Sequence, residues 1–249
     1  MFIPVVLTLV MLILGISVMI IGTPLVATVK FFDRSGRYAH GLARWWLATL
    51  SRIVGTRVTV EGRENLDPGR PCLILANHKS AHDILVLARV LPIHFKFFAD
   101  HKLFSKPFFG WCMSLAGYLP INRSNHSQAR TSILKGTGIL KDGRASLLIF
   151  PEGTRCERPV IQDFKYGFLK IATEAKRPLQ PVILDGTEAA KPKSTFWFRP
   201  AHVHVSILPP EPAVRIQREN WDQEKKRFEE IFRREYNRIH SIRSAVVSS

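Results

Sequence analysis

Charge is absent from the start of the chain. Between Met1 and Val29 no side chain carries a charge, and Lys30 is the first that does. A tract this long and apolar matches the roughly 20 residues needed to cross a bilayer core. A signal peptide usually opens with Lys or Arg and closes on a small-residue cleavage site. No basic residue precedes the apolar run here, so the segment is expected to be a retained membrane anchor. Pro4, Gly15, Gly22 and Pro24 leave room for a kink or a re-entrant hairpin. Acidic residues are also scarce, 20 against 36 Lys and Arg, giving a net charge of +16. Such a balance calls for a polyanion, and nucleic acid and anionic lipid are the usual ones. The uncharged tract in front selects lipid, so no nucleic-acid partner is expected. There are only three cysteines, Cys72, Cys112 and Cys156, and no C-x-x-C pair. That excludes a zinc ribbon and a dithiol redox motif, and favours reduced cysteines in a cytosolic domain. No internal repeat or low-complexity linker divides the remainder.

Basic residues follow the tract: Lys30, Arg34, Arg37, Arg44, Arg52 and Arg57, against a lone Asp33. The positive-inside rule places this flank, and the catalytic portion after it, on the cytoplasmic face, which is the inner membrane if the source is bacterial. Leu42, Trp46, Leu50 and Ile53 recur at helical spacing, and Arg37, His40, Arg44 and Ser51 mark another face. This predicts an interfacial helix with Trp45 and Trp46 at headgroup level; a buried helix of the soluble domain is the alternative. Residues 1–55 are therefore read as membrane anchor and interfacial helix, and 56–249 as the catalytic domain.

Past residue 55 the pattern changes. "RVTVEG" alternates, "CLILA" is a continuous apolar run, and "HFKFFA", "SLLIF", "PVILDG" and "HVHVSIL" are further strands. Helical stretches lie between them at Asp83–Val90, Lys106–Ala116, Ser124–Lys141 and Phe164–Lys176. The tail has an N-cap at Asn220 and an apolar stripe of Trp221, Phe228, Ile231, Phe232 and Ile239. Alternating strands and helices predict an α/β fold, a mostly parallel central sheet flanked by helices, with the N-terminal helical segment as membrane anchor. Three polar clusters each follow a strand: "NHKSAHD", "PEGTR" and "DGT". Ligands of open α/β sheets bind beyond the carboxyl ends of the strands, so the clusters are expected to converge.

His78 and His82 have the spacing of a metalloprotease helix, but Lys79 stands where its glutamate would be and opposes a dication. The other pairing is His78 with Asp83. A carboxylate on one ring nitrogen fixes the tautomer and supports the imidazolium formed when the other takes a proton. An Asp that caps the following helix fits these residues as well. In "FPEGTR" Pro151 ends a strand and Gly153 allows a tight turn. Arg155 offers a planar fork for phosphate or carboxylate, and Glu152 either bonds a hydroxyl or holds Arg155. Arg123 of "GYLPINRSN" would add a second guanidinium. His202 and His204 share a strand face without a third ligand, which suits packing or solvent better than metal.

Together, "NHKSAHD", "GYLPINR", "FPEGTR" and "RPLQPVILDGT" resemble, in order and spacing, the four motif blocks of the glycerolipid acyltransferase family, from about Cys72 to Gly186. "FKYGFLKIA" is similar to that family's F-K-x-G segment. "ADHKLFSKPFFG" departs from its usual Lys-x-Glu-Leu run, and Asn122–Arg123 stands where Asp–Arg is common. The resemblance implies transfer of a fatty acyl group from acyl-CoA or acyl carrier protein to a lysolipid hydroxyl. The acceptor it implies is the sn-2 hydroxyl of 1-acylglycerol-3-phosphate (lysophosphatidic acid), with phosphatidic acid as product. Another lysophospholipid, a lyso-ornithine lipid or glycerol phosphate is the alternative acceptor, which the departures around Asp100–Lys102 keep open. It further implies His78 as base, Asp83 as its orienting acid, and Arg155 with Arg123 on the acceptor phosphate. Glu152 would help place the glycerol, Gly153 and Thr154 would bind substrate beside it, and Pro181 would shape the floor. No metal or cofactor is implied beyond the acyl thioester. A non-catalytic basic protein bound to anionic membrane would explain the charge but not four ordered motifs.

Overall fold

The computed structural model describes residues 2–33, 36–156, 158–192, 195 and 197–248. Arg34 of the basic flank lies outside the described residues. Among them, seven strands form one sheet in the order β1-β7-β6-β2-β5-β3-β4. These are β1 (Arg57–Glu61), β2 (Leu73–Ala76), β3 (Phe95–Asp100), β4 (Leu119–Ile121), β5 (Ser146–Ile149), β6 (Leu179–Asp185) and β7 (His202–Ile207). Strands β6, β2, β5, β3 and β4 are mutually parallel. Strand β7 runs antiparallel to β6 and carries β1 parallel to itself. The mostly parallel α/β expectation holds; the reversal at β6–β7 adds a short two-strand wing.

Both faces of the sheet are covered, which is why β2 reads as an unbroken apolar run. Its side chains alternate. Ile74 and Ala76 join Phe95, Phe97, Leu148, Val182 and Leu184 under α3 (Asp83–Val90). Leu73 and Leu75 face the other way, among Leu147, Ile183 and the aromatic rings of α7 (Gly167–Ala175) and α9 (Trp221–Ser248). Phe228, Phe232 and Ile239 of α9 are fully buried, as their spacing predicts. Tyr236 is buried beside them and escaped that stripe because its phenol reads as polar. Pro181 lies inside β6, opposite Leu75 of β2.

Helix α1 (Phe2–Phe32) bends by 41° between its limbs Val5–Ser17 and Ile20–Val29. The bend follows the Ser17 hydroxyl, which donates to the Ile13 carbonyl at 2.8 Å, and precedes Pro24, which cannot supply an amide to the turn before it. Among the described residues no single helix is long and apolar enough to cross a membrane; the two bent limbs together are. One side of α1 packs on the domain: Met11 meets Leu50 and Val54, and Thr23 Oγ1 lies 2.9 Å from Cys112 Sγ. The opposite side exposes Leu9, Ile13, Ile16, Ile20 and Ile21.

Helix α2 (Arg37–Ile53) corrects one expectation. Of the residues that mark its second, basic face, His40 and Ser51 are buried. The sheet supplies the reason: His40 Nε2 lies 3.3 Å from the Ile93 carbonyl and 3.4 Å from the Phe95 amide, so imidazole is a polar plug for backbone ends. Trp45 is exposed and Trp46 is half-buried against α1.

Candidate active site

Strand β2 ends at Ala76, and the chain turns through Asn77 into α3. Asn77 anchors the turn to the neighbouring strand: its Nδ2 donates to the Leu184 carbonyl (2.8 Å) and its Oδ1 accepts from the Leu184 amide (2.7 Å). Asp83 opens α3, yet its carboxylate does not cap that helix. It folds back, Oδ2 accepting from the Lys79 amide at 2.9 Å and the Ser80 amide at 3.0 Å. The same oxygen lies 2.6 Å from His78 Nδ1. The alternative of a capping aspartate is thereby excluded. Asp83 is wholly buried, whereas the His78 side chain keeps 13% of its surface accessible.

The imidazole is held in three ways. Nδ1 faces Asp83, the ring stacks on Phe150 at 4.0 Å between centroids and 13° between planes, and the backbone amide donates to Glu152 Oε1 at 2.8 Å. Nε2 is the nitrogen left to exchange a proton. His82, four residues on, serves a different neighbour: its Nε2 lies 2.8 Å from Thr56 Oγ1 inside the domain. Burial pushes its pKa down to about 4, so it stays neutral and packs. The two histidines share no centre, and among the described residues no three His, Cys, Asp or Glu side chains cluster to hold a metal ion.

The "PEGTR" turn after β5 faces the same edge. Gly153 takes φ +74°, a left-handed value suited to glycine, and its amide donates to the Phe150 carbonyl at 3.1 Å. Glu152 is buried and both its oxygens are engaged: Oε1 by His78, Oε2 by the Gln162 amide at 3.1 Å. Burial raises its pKa, opposed by those same amides and by Lys79. Glu152 therefore fastens the β5 turn to the β2 turn; it neither pairs with Arg155 nor points a free oxygen outward. Thr154 and Arg155 are exposed. Arg123, after β4, donates to the Gly153 carbonyl and so joins the turn. Desolvation lowers its pKa although the residue is exposed; the like charge of Arg155 lowers it further and Asp100 opposes both. Two guanidinium groups near enough to repel invite an anion between them.

Lys79, whose charge speaks against a metal at His78 and His82, does not face the site. It is fully buried, donating to the Arg158 and Val160 carbonyls at 2.8 and 2.5 Å, 4.3 Å above the Tyr236 ring. Desolvation lowers its pKa, with Glu152 the largest opposing influence. No periodicity marked it, since its partners are carbonyls of a distant loop. His204 pairs with Glu61 at 2.7 Å and His202 lies 2.9 Å from Thr59, so neither faces the site.

The fold and the site together define an α/β protein whose sheet carries a carboxylate-paired histidine and two arginines at its edge. A family model described as Acyltransferase matches residues 57–185. The chain belongs to the acyltransferase family. It is 33% identical over 188 residues to the 1-acyl-sn-glycerol-3-phosphate acyltransferase of Cocos nucifera, covering 76% of this chain and 58% of that one. It is 32% identical over 170 residues to the protein of the same description from Saccharomyces cerevisiae, covering 68% and 56%. The chain thus spans a little over half the length of these curated relatives. Its fold is that of the crystal structure of the 1-acyl-sn-glycerophosphate (LPA) acyltransferase PlsC from Thermotoga maritima. That match has a TM-score of 0.83 and 23% identity, over 95% of this chain and 96% of the other.

Proposed function

We propose that the protein transfers a fatty acyl group from acyl-CoA or acyl carrier protein to the sn-2 hydroxyl of 1-acylglycerol-3-phosphate, forming phosphatidic acid. The observation that carries this is the 2.6 Å contact between buried Asp83 Oδ2 and His78 Nδ1, which leaves Nε2 to act, on a turn tied through Glu152 to the one that carries Arg155 and holds Arg123. In the reaction, Nε2 takes the hydroxyl proton as the oxygen attacks the thioester carbonyl. Asp83 stabilises the imidazolium. The tetrahedral intermediate then expels the thiolate, which recovers the proton from His78. General-base work of this kind contributes about 10²–10⁴-fold, and positioning supplies much of the rest. Arg155 and Arg123 hold the acceptor phosphate, while Glu152 keeps the two turns in register. The Gly153 amide is engaged with Phe150 and is not an oxyanion donor.

The membrane is the second part of the proposal. The exposed apolar side of α1, with exposed Trp45 of α2, enters the lipid from the cytoplasmic side, drawn by the basic chain toward anionic headgroups. An acceptor other than lysophosphatidate is favoured only by Asp100, whose charge acts on Arg123. Purified protein in detergent, offered a panel of lysolipids with both donor types, decides among these by product mass. Phosphatidic acid from lysophosphatidate is expected. No acylated product from any acceptor would refute the proposal.

A further inference from the structure

The Asp185-Gly186-Thr187 cluster at the end of β6 has no task in the scheme above, yet it reaches Asp83. The two oxygens of that carboxylate have separate partners. Oδ2 takes His78 and the Lys79 and Ser80 amides, while Oδ1 takes one side chain, the Thr187 hydroxyl. Both Asp83 and Thr187 are fully buried. Thr187 opens a short helix, α8 (Thr187–Ala190), after Gly186 at φ +99°. A Cβ at Gly186 would stand 2.3 Å from the His202 carbonyl oxygen, so the turn admits only glycine. Asp185 is locked to the C-terminal helix: it accepts from Tyr236 Oη at 2.8 Å, His240 Nδ1 at 3.0 Å and Arg243 Nε. The Asn77–Leu184 pair holds the same strand end to β2. The turn that presents Thr187 is therefore fixed from two sides.

We propose that Thr187 is a positioning residue for acyl transfer, its hydroxyl holding Asp83 Oδ1 so that Oδ2 stays aimed at His78 Nδ1. This rests on the His78–Asp83 pair being the general base proposed above. Three donors on one oxygen still let a carboxylate pivot about that oxygen. A donor on the second oxygen fixes the plane. It also shares the negative charge between the two oxygens; without it, charge concentrates on Oδ2 and an imidazolium beside it is held more strongly. The charged and titratable groups nearest the pair are His82, on which Asp83 acts, and Glu152, which accepts from the His78 amide; Lys79, Asp185, Glu188 and Arg243 act on one another behind them.

The test uses the full chain in detergent. Thr187→Val keeps the shape and removes the hydroxyl, and Thr187→Ser keeps the hydroxyl. Steady-state kinetics are followed with both substrates from about pH 5.5 to 9. Thr187→Val is expected to lower kcat about tenfold and leave both KM values within about twofold. Its acid limb should move up by about half a unit, and Thr187→Ser should keep most of the wild-type kcat. Wild-type kcat in Thr187→Val, a Ser variant as impaired as Val, or a fall in kcat with the acid limb unmoved or lowered would each overturn the inference. Thr187→Ala supplies the same comparison where Val does not fold. A wild-type protein inactive on every acceptor would overturn the acyl-transfer proposal itself, a result distinct from any of these.

Discussion

Replacing Asp83 by Asn removes a charge and little else. The amide oxygen can still accept from the Lys79 and Ser80 amides, which now meet Oδ2 at 2.9 and 3.0 Å. The Thr187 hydroxyl can turn to accept from the new amide group instead of donating. The turn is therefore expected to keep its shape. What disappears is the carboxylate 2.6 Å from His78 Nδ1 when the ring becomes an imidazolium. For that bond the charge centres are about 4 Å apart, and at an effective dielectric of about 20 they attract by about 4 kcal/mol. Loss of that attraction in the transition state corresponds to about 10³-fold in kcat. The assay is thiol release from the acyl donor under saturating acceptor, beside a thermal melt of the same preparation. Asp83→Asn should melt near the wild type and turn over about a thousandfold more slowly. A folded variant retaining a tenth or more of the wild-type kcat would refute the claim that the carboxylate supports a charged His78.

Arg155→Ala should raise KM for a phosphate-bearing acceptor by about 10- to 100-fold, the worth of one to two charge-assisted hydrogen bonds, and leave a neutral acceptor unchanged. Equal effects on both acceptors in parallel kinetics would remove Arg155 from the phosphate. His82 is held neutral, its pKa depressed from 6.5 to about 4 by burial. Its contribution to stability is thus fully present above about pH 6.5 and is lost as pH falls toward 4, by about 3 kcal/mol in all. His82→Leu should flatten the acid side of a melting-temperature profile; an unchanged slope between pH 4 and about 6.5 would show that other groups set it. Paired Ile13→Glu and Ile20→Glu changes on the exposed side of α1 should move the protein off anionic vesicles in a flotation assay, since each buried apolar side chain is worth about 1.5–3 kcal/mol. Flotation at the wild-type level would put α1 outside the lipid.

Periodicity carried most of the sheet, because strands covered on both faces are written as short apolar runs. Helix α3 falls on the Asp83–Val90 range read from its pattern. Strand β4 was not foreseen: it has three residues, one of them Pro120, and pairs only with β3 at the sheet edge, where proline costs no ladder bond. The reversal of β7 against β6 was equally hidden, since side-chain alternation is the same in either direction. At the site, His78, Asp83 and Arg155 stand in motifs dense enough to read directly. Glu152, Lys79 and Thr187 stand in the same motifs, but their partners are backbone amides, carbonyls and a carboxylate that only folding brings near. Burial of His40 was hidden for a like reason: a polar residue on a helix looks solvent-facing until the strand ends it plugs are in place.

The central claim is that His78 Nε2 removes the proton from a lysophosphatidate hydroxyl. Its most direct measurement compares wild type with His78→Ala, purified in the same detergent and incubated with acyl-CoA or acyl carrier protein thioester and 1-acylglycerol-3-phosphate, with lipid products weighed by mass spectrometry. The wild type is expected to give phosphatidic acid carrying the donor's acyl chain, and the folded variant at least about a hundredfold less. Phosphatidic acid formed by His78→Ala at a rate near that of the wild type would contradict it.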